Sequence, residues 1–240
     1  VECEYRLVSL FQRSFPNIQF LSRENPPNSQ LLNPNIHYQI PMGSLGQWLR
    51  INQDSFKQSH PYYLIACPDK VSKLRNKYQQ LANGKQLVGI SWKSTGINQR
   101  RALAKSIPLR GWIPILSQSN CYFINLQYGD VELELTQLQS TPNLTIYQDQ
   151  EINPLTHLDD FAAQISALDL IISIDNSTVH MAGVLGKKVW TLLPYVPDWR
   201  WMLDREDTLW YPTMKLFRQS KIGDWQDPFQ QLRSMVNTNV

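Results

Sequence analysis

The chain has 240 residues, 42% hydrophobic and 18% charged, with a formal net charge of +3; that is enough to bury one large core or two moderate ones, and it lacks the clustered Lys/Arg stripe of a nucleic-acid binder. Cys3, Cys67 and Cys121 are too few and too scattered for a disulfide framework or a metal-ligand cluster and point to a reducing cytoplasm. No apolar run approaches the roughly 18 residues that cross a bilayer, no secretory signal opens the sequence, and Val1-Glu2-Cys3 reads as the middle of a longer chain.

Taken in order, Leu7, Val8, Leu10 and Phe11 mark a helix that ends near Phe15-Pro16, and Ile18 to Leu21 follows as a strand. The Pro- and Asn-rich stretch from Glu24 to Asn35 is an irregular loop. A turn from Ile40 to Gly46 leads into a short helix at Gln47 to Leu49, and Tyr62-Tyr63-Leu64-Ile65 has the composition of a short strand. Lys70 to Leu81, with a charged face and few apolar anchors, is expected to be a solvent-facing helix. The linker Asn83-Gly84-Lys85 then places a domain boundary, so that residues 1–84 form part of an amino-terminal α/β domain and 85–240 a second domain.

From Leu87 onward the pattern is regular. Strands are expected at Leu87 to Trp92, Cys121 to Leu126, Leu144 to Tyr147, Leu170 to Ile174 and Lys188 to Leu193. Helical faces lie between them at Leu109, Trp112, Ile113 and Leu116, at Val131 to Leu138, at Leu158, Phe161, Ala162 and Ile165, and at Val179 to Leu185. Lys93 to Ser106 reads as a polar, basic loop. Strands alternating with helices specify a Rossmann-like parallel sheet with helices on both faces. Leu216-Phe-Arg218 is a short edge strand, and Trp225 to Val236 a terminal helix.

The stretch LDLIISIDNSTVHMAGVLGKKVWTLL (168–193) is one βαβ unit, and ligands of an open α/β sheet gather outside the carboxyl ends of its strands. Asn176, Ser177 and Thr178 offer hydroxyls, free N–H groups and the positive end of a helix dipole, which are the parts of an anion site. Ordinary helix capping explains the same residues equally well. Asp175 suits a cap or an acceptor for sugar hydroxyls better than a phosphate contact, because like charges near 4 Å repel by about 4 kcal/mol at a surface-like dielectric. His180 shares the helix face of Ser177; a lone histidine there is usually a packed residue, but its nearness to the turn favours a role in the site. Arg100, Arg101 and Lys105, in the loop after the first strand, could offset a diphosphate or form a solvated face. Gln127, at a strand end, could read a nucleoside or cap a turn. Most of the aromatics in YVPDWRWMLDREDTLWY (195–211) are expected to pack.

Together VGISWKS (88–94), KSIPL (105–109), FINLQYGD (123–130), ALDLIISIDNSTVHMAGVLGKKVW (167–190), LLPYVPDWRW (192–201) and DTLWYPTMKLFRQ (207–219) resemble the carboxyl-terminal half of bacterial glycosyltransferases of the GT-B fold. The group most similar is that attached to tetratricopeptide repeats, akin to the heptosyltransferases and more remotely to O-linked N-acetylglucosamine transferases. The resemblance covers about 87–237 well; EYRLVSLFQRSFPNIQFLSR (4–23) and PMGSLGQWL (41–49) more weakly resemble the latter part of the family's first domain.

The resemblance implies a GT-B enzyme that transfers a sugar from a nucleotide-sugar donor, UDP- or ADP-linked, to a protein or glycan acceptor of unknown identity, without a metal or other cofactor. Asp175 and His180 would lie beside the donor sugar as the catalytic pair, Asn176, Ser177 and Thr178 would face the diphosphate, Lys105 or Arg101 would offset its charge, and Gln127, with Trp92, would complete the donor-binding set. Fixed dipoles and cations would stabilise the leaving diphosphate, while a base from the other domain would deprotonate the acceptor; no catalytic base is assigned. Lys93-Ser94 departs from the small residues and Gly commoner in relatives after the first strand. A non-catalytic binding or scaffold module and a nucleotide-sugar epimerase on the same fold stand as alternatives.

Overall fold

The computed structural model describes residues 1–57, 60–96, 98–142 and 144–238. Its first segment is sparse: strand β1 (Glu2–Cys3), helix α1 (Tyr5–Ser14) and strand β2 (Leu21–Ser22), with β1 and β2 paired in parallel. Residues 24–57 contribute only short 3-10 turns and the single-turn helix α2 (Gly46–Leu49), and they leave Tyr38, Trp48 and Ile51 exposed. The stretch expected as a strand at Tyr62 to Ile65 is not one. Its composition suits a sheet, but its backbone meets helix ends and not a strand: the N–H groups of Tyr63 and Leu64 both donate to the Val184 carbonyl, and the Ile65 N–H donates to Ser14 Oγ.

Helix α3 (Pro68–Ala82) opens with proline at its first position and ends at Asn83, whose left-handed conformation (φ +49°) closes the last turn. It is not solvent-facing. Leu74, Tyr78 and Ala82 are buried, four residues apart on one stripe, and their three side chains join the core of the sheet that follows.

That sheet is parallel throughout. Strands β3 (Gln86–Ser91), β4 (Cys121–Asn125), β5 (Ile146–Tyr147), β6 (Leu170–Ile174), β7 (Val189–Leu193) and β8 (Met214–Arg218) lie in the order β5-β4-β3-β6-β7-β8. The chain starts in the middle at β3, runs outward through β4 to β5, then returns to the other side of β3 at β6 and runs outward again to the edge strand β8. The reversal between β3 and β6 creates a crevice at their carboxyl ends, since the two following connections leave in opposite directions.

Alternation along the strands sorts the core into two layers. Val88, Ile90, Leu170, Ile172 and Ile174 point to one face, with α5 (Ile113–Leu116), α6 (Glu132–Gln139) and the terminal helix α9 (Gln226–Thr238). Leu87, Ile171 and Val189 point to the other, with α3, α7 (Leu158–Ser166) and α8 (Ser177–Val184). Gly89 shows how close this packing is, because a Cβ there would stand 2.4 Å from a Leu126 methyl and 2.6 Å from a Leu168 methyl. Helix α1 attaches to the outside of this second layer through Leu10, which packs on Ala162, and through Arg13, whose guanidinium donates to both oxygens of Asp159.

The expected basic loop after β3 contains a helix, α4 (Gln99–Lys105). Asn98 caps it by accepting from the Arg101 N–H, and only Ala102 of its seven residues is buried, so the sequence offers no apolar stripe to reveal it. Among the described residues no helix is long and apolar enough to cross a membrane.

Candidate functional site

A cleft of about 360 Å³ opens at the carboxyl ends of the strands, over the reversal between β3 and β6. Four connections build it: Ser94, Thr95 and Gly96 follow β3, Tyr128 follows β4, Asp175, Asn176 and Ser177 follow β6, and Asp198 and Arg200 follow β7. Lys105, the last residue of α4, and His180, one turn into α8, complete the lining.

The turn after β6 is held by a buried network. Asn176 caps α8 by accepting from the Thr178 N–H at 3.0 Å, while its amide nitrogen donates to Ser91 Oγ at 2.7 Å and to the Lys93 carbonyl at 3.3 Å. One side chain therefore both starts the helix and ties the end of β6 to the end of β3. Gln127 does the same between β3 and β4. Its Oε1 accepts from Ser91 Oγ and from the backbone N–H groups of Trp92 and Lys93 at 2.8–2.9 Å, and its own amide donates to the Tyr128 carbonyl.

Asp175 is 4% exposed, and Lys105 Nζ donates to its Oδ2 at 3.3 Å. His180 Nε2 stands 4.0 Å from the other oxygen, Oδ1. The imidazole lies flat on Trp201, with centroids 5.2 Å apart and planes 14° from parallel, and its Nδ1 is 3.0 Å from the Tyr211 hydroxyl. Burial holds the imidazole below its ordinary titration range; Asp175 pulls the other way, and Arg200 adds to the depression. Asp198 is pushed up by burial, but the N–H and guanidinium of Arg200 outweigh this and hold it low, so that the pair is ionised. Burial raises Tyr211 to about 12, so its hydroxyl keeps its proton at neutral pH.

The candidate residues divide accordingly. Asp175, Asn176, Ser177, His180 and Lys105 come together at the cleft, with Ser177 exposed and Asn176 committed to its capping and bridging bonds. Thr178 is fully buried and does not line the cleft; among the described residues its hydroxyl has no partner. Trp92 is also fully buried, its indole N–H donating to Glu134, and Gln127 is turned into the turn it caps. Arg101 sits exposed at the start of α4 and does not line the cleft.

Ser94, Tyr128, Asp198, Arg200, and Tyr211 and Trp201 behind His180, escape sequence reasoning. They come from loops whose convergence is a property of the fold, although their positions just after predicted strands were a usable signal for Ser94 and Tyr128.

No family model matches the chain. It is 30% identical over 232 residues to Protein FlbA of Caulobacter vibrioides, a match that takes in 93% of this chain; the chain spans 38% of the length of that curated relative. Among solved structures it is similar to the glycosyl transferase family 9 protein of Veillonella parvula DSM 2008 (TM-score 0.51, 12% identity, 76% of this chain and 55% of that one). It is likewise similar to the ADP-heptose LPS heptosyltransferase II of E. coli (TM-score 0.53, 15% identity, 77% and 55%). At these identities the likeness is one of fold, the GT-B type: a six-stranded parallel Rossmann-like sheet flanked by helices.

Proposed function

We propose that the chain is the donor-binding part of a glycosyltransferase that takes its sugar from a nucleoside-diphosphate sugar. The observation that carries this reading is the cleft at the β3–β6 reversal, where the start of α8, Lys105 and the Asp175–His180 pair converge in a fold shared with two proteins described as a family 9 glycosyl transferase and a heptosyltransferase. The positive end of α8 suits the diphosphate through the exposed Ser177, with Lys105 and Arg200 as the available cations. Asp175 and His180 then stand beside the donor sugar. The nucleobase is left open between uracil and adenine, the acceptor is a protein or glycan, and the base that deprotonates it belongs to the other domain.

Titration calorimetry of the full-length protein with ADP, UDP and GDP tests this. ADP or UDP is expected to bind and to lose that binding when Lys105 is replaced by methionine; a protein that binds none of the three does not have this function.

One observation favours a second reading, a binding module that performs no transfer. Lys105 and Arg200 are each already neutralised by a carboxylate, Asp175 and Asp198, so the cleft carries little net positive charge. Donor binding without sugar transfer or donor hydrolysis by the full-length protein would support it.

A further inference from the structure

His180 has two ring nitrogens in two different settings, and the difference between them determines what the ring can do. Nδ1 faces inward to the Tyr211 hydroxyl at 3.0 Å, while Nε2 faces the cleft, 4.0 Å from Asp175 Oδ1. A neutral imidazole carries one proton, so either Tyr211 donates to Nδ1 and the proton sits on Nε2, or Nδ1–H donates to the tyrosine oxygen and Nε2 presents a lone pair. The second arrangement would set that lone pair toward a carboxylate; the first sets an N–H there. Electrostatics selects the first.

We propose that Tyr211 is a positioning residue that fixes His180 as its Nε2–H tautomer, so that the ring offers the cleft a neutral hydrogen-bond donor and not a base. Tyr211 is well placed for this. Its ring is pressed against the backbone of α8 at Gly183, where a Cβ would come within 2.5 Å of Tyr211 Cγ, so the hydroxyl has little freedom to leave Nδ1. Trp201 covers the face of the imidazole, and turning the ring over in that plane would put Cδ2 in place of Nδ1 and give up the bond to Tyr211. The charged and titratable groups facing the ring are Asp175, Asp198, Lys105, Arg200 and Tyr211; the two cations oppose an imidazolium and the two carboxylates favour it.

At 4.0 Å the Nε2–H does not reach Asp175 as a hydrogen bond, so it stays available to an oxygen entering the cleft. Only this last step rests on the glycosyltransferase reading, in which that oxygen belongs to the donor substrate. The tautomer itself is tested without any substrate.

Protein carrying ring-labelled ¹⁵N-histidine gives the answer in a long-range nitrogen–proton spectrum at neutral pH, with the His180 signals identified by their loss in His180→Gln. The expected result is a protonated-type Nε2 and an unprotonated-type Nδ1, and in Tyr211→Phe a shift toward a mixture of both tautomers. A dispersed backbone amide spectrum reports that the variant is folded, since His37, His60 and His157 are all exposed and their rings sense little of the fold. A protonated Nδ1 in the unaltered protein overturns the proposal, as does a single unchanged tautomer in Tyr211→Phe. Should Tyr211→Phe fail to fold, the spectrum of the unaltered protein still decides. Failure to bind any nucleoside diphosphate would sink the proposed function and leave this tautomer assignment standing.

Discussion

Lys105 and Asp175, 70 residues apart in sequence, meet at 3.3 Å where the end of α4 leans over the end of β6. The carboxylate side chain is 6% exposed and the lysine side chain 24%, so the pair is held in a setting far drier than an ordinary surface bridge. Replacing Lys105 by methionine leaves Asp175 as a buried charge without its cation, at a cost of about 1–3 kcal/mol. Urea denaturation should show that loss for Lys105→Met and a smaller one for Lys105→Met combined with Asp175→Asn, because the second change removes the orphaned charge. Equal losses in the two proteins would mean that Asp175 without its cation carries no penalty.

Gly183 lies inside α8, where alanine would normally gain about 1 kcal/mol in helix propensity. Here the sign reverses. The added Cβ would press on the Tyr211 ring at 2.5–2.9 Å, and overpacking of this kind costs about 1–3 kcal/mol. Gly183→Ala should therefore lower the denaturation midpoint in the unaltered background. In Tyr211→Ala, where the ring is gone, the same substitution should be neutral or stabilising, and that change of sign between backgrounds is what the measurement must show.

Much of this architecture could be read from the chain because it rests on residues buried on both faces. Leu170 to Ile174 is wholly buried, as a short apolar run rich in β-branched residues requires, and Phe161, Ala162 and Ile165 bury the face that their spacing specifies. Elements with few anchors were harder to see. Helix α4 buries only Ala102, and α3 hides a three-residue stripe among charged neighbours. At the site, the turn at Asp175 and the nearness of Lys105 and His180 follow from positions at strand ends. Side-chain direction does not follow: Trp92 and Gln127 occupy the right edge of the sheet yet turn inward, because the Trp92 indole finds Glu134 and the Gln127 amide finds three donors at the turn. Tyr211 could not be placed from its neighbours at all, since its role depends on a helix 31 residues earlier.

Acid should weaken the protein in two steps. His180 titrates below its ordinary value of 6.5 when folded, so as pH falls past 6.5 the unfolded chain takes up the proton first and stability drops. Asp149 and Asp159 behave oppositely in kind but alike in direction. Burial raises both, but Lys77 and Tyr78 outweigh it at Asp149, and Arg13 and Lys70 at Asp159, so both end below their ordinary 3.8. Their contribution is present above that value and is lost as pH falls below it and through their lower folded values. Denaturation midpoints across pH 3 to 8 should show both steps, and His180→Gln should abolish only the upper one.

Arg218, on the edge strand β8, donates to the carbonyls of Trp201, Met202 and Arg205 at 2.5, 3.0 and 2.8 Å. These three bonds hold a loop in which Met202 and Asp204 both adopt left-handed backbone (φ +52° and +55°), a conformation that residues with a Cβ rarely take unaided. The same loop carries Trp201 onto His180. Arg218→Met removes all three donors and should cost about 2–3 kcal/mol, with Arg218→Lys falling between it and the unaltered protein because an ammonium cannot span the three carbonyls. As Trp201 loses its place, water reaches the imidazole, and the titration midpoint of His180 should move up toward its ordinary value in nuclear magnetic resonance. A destabilised Arg218→Met whose His180 titrates unchanged would show that the loop is braced for the fold alone and not for the cleft.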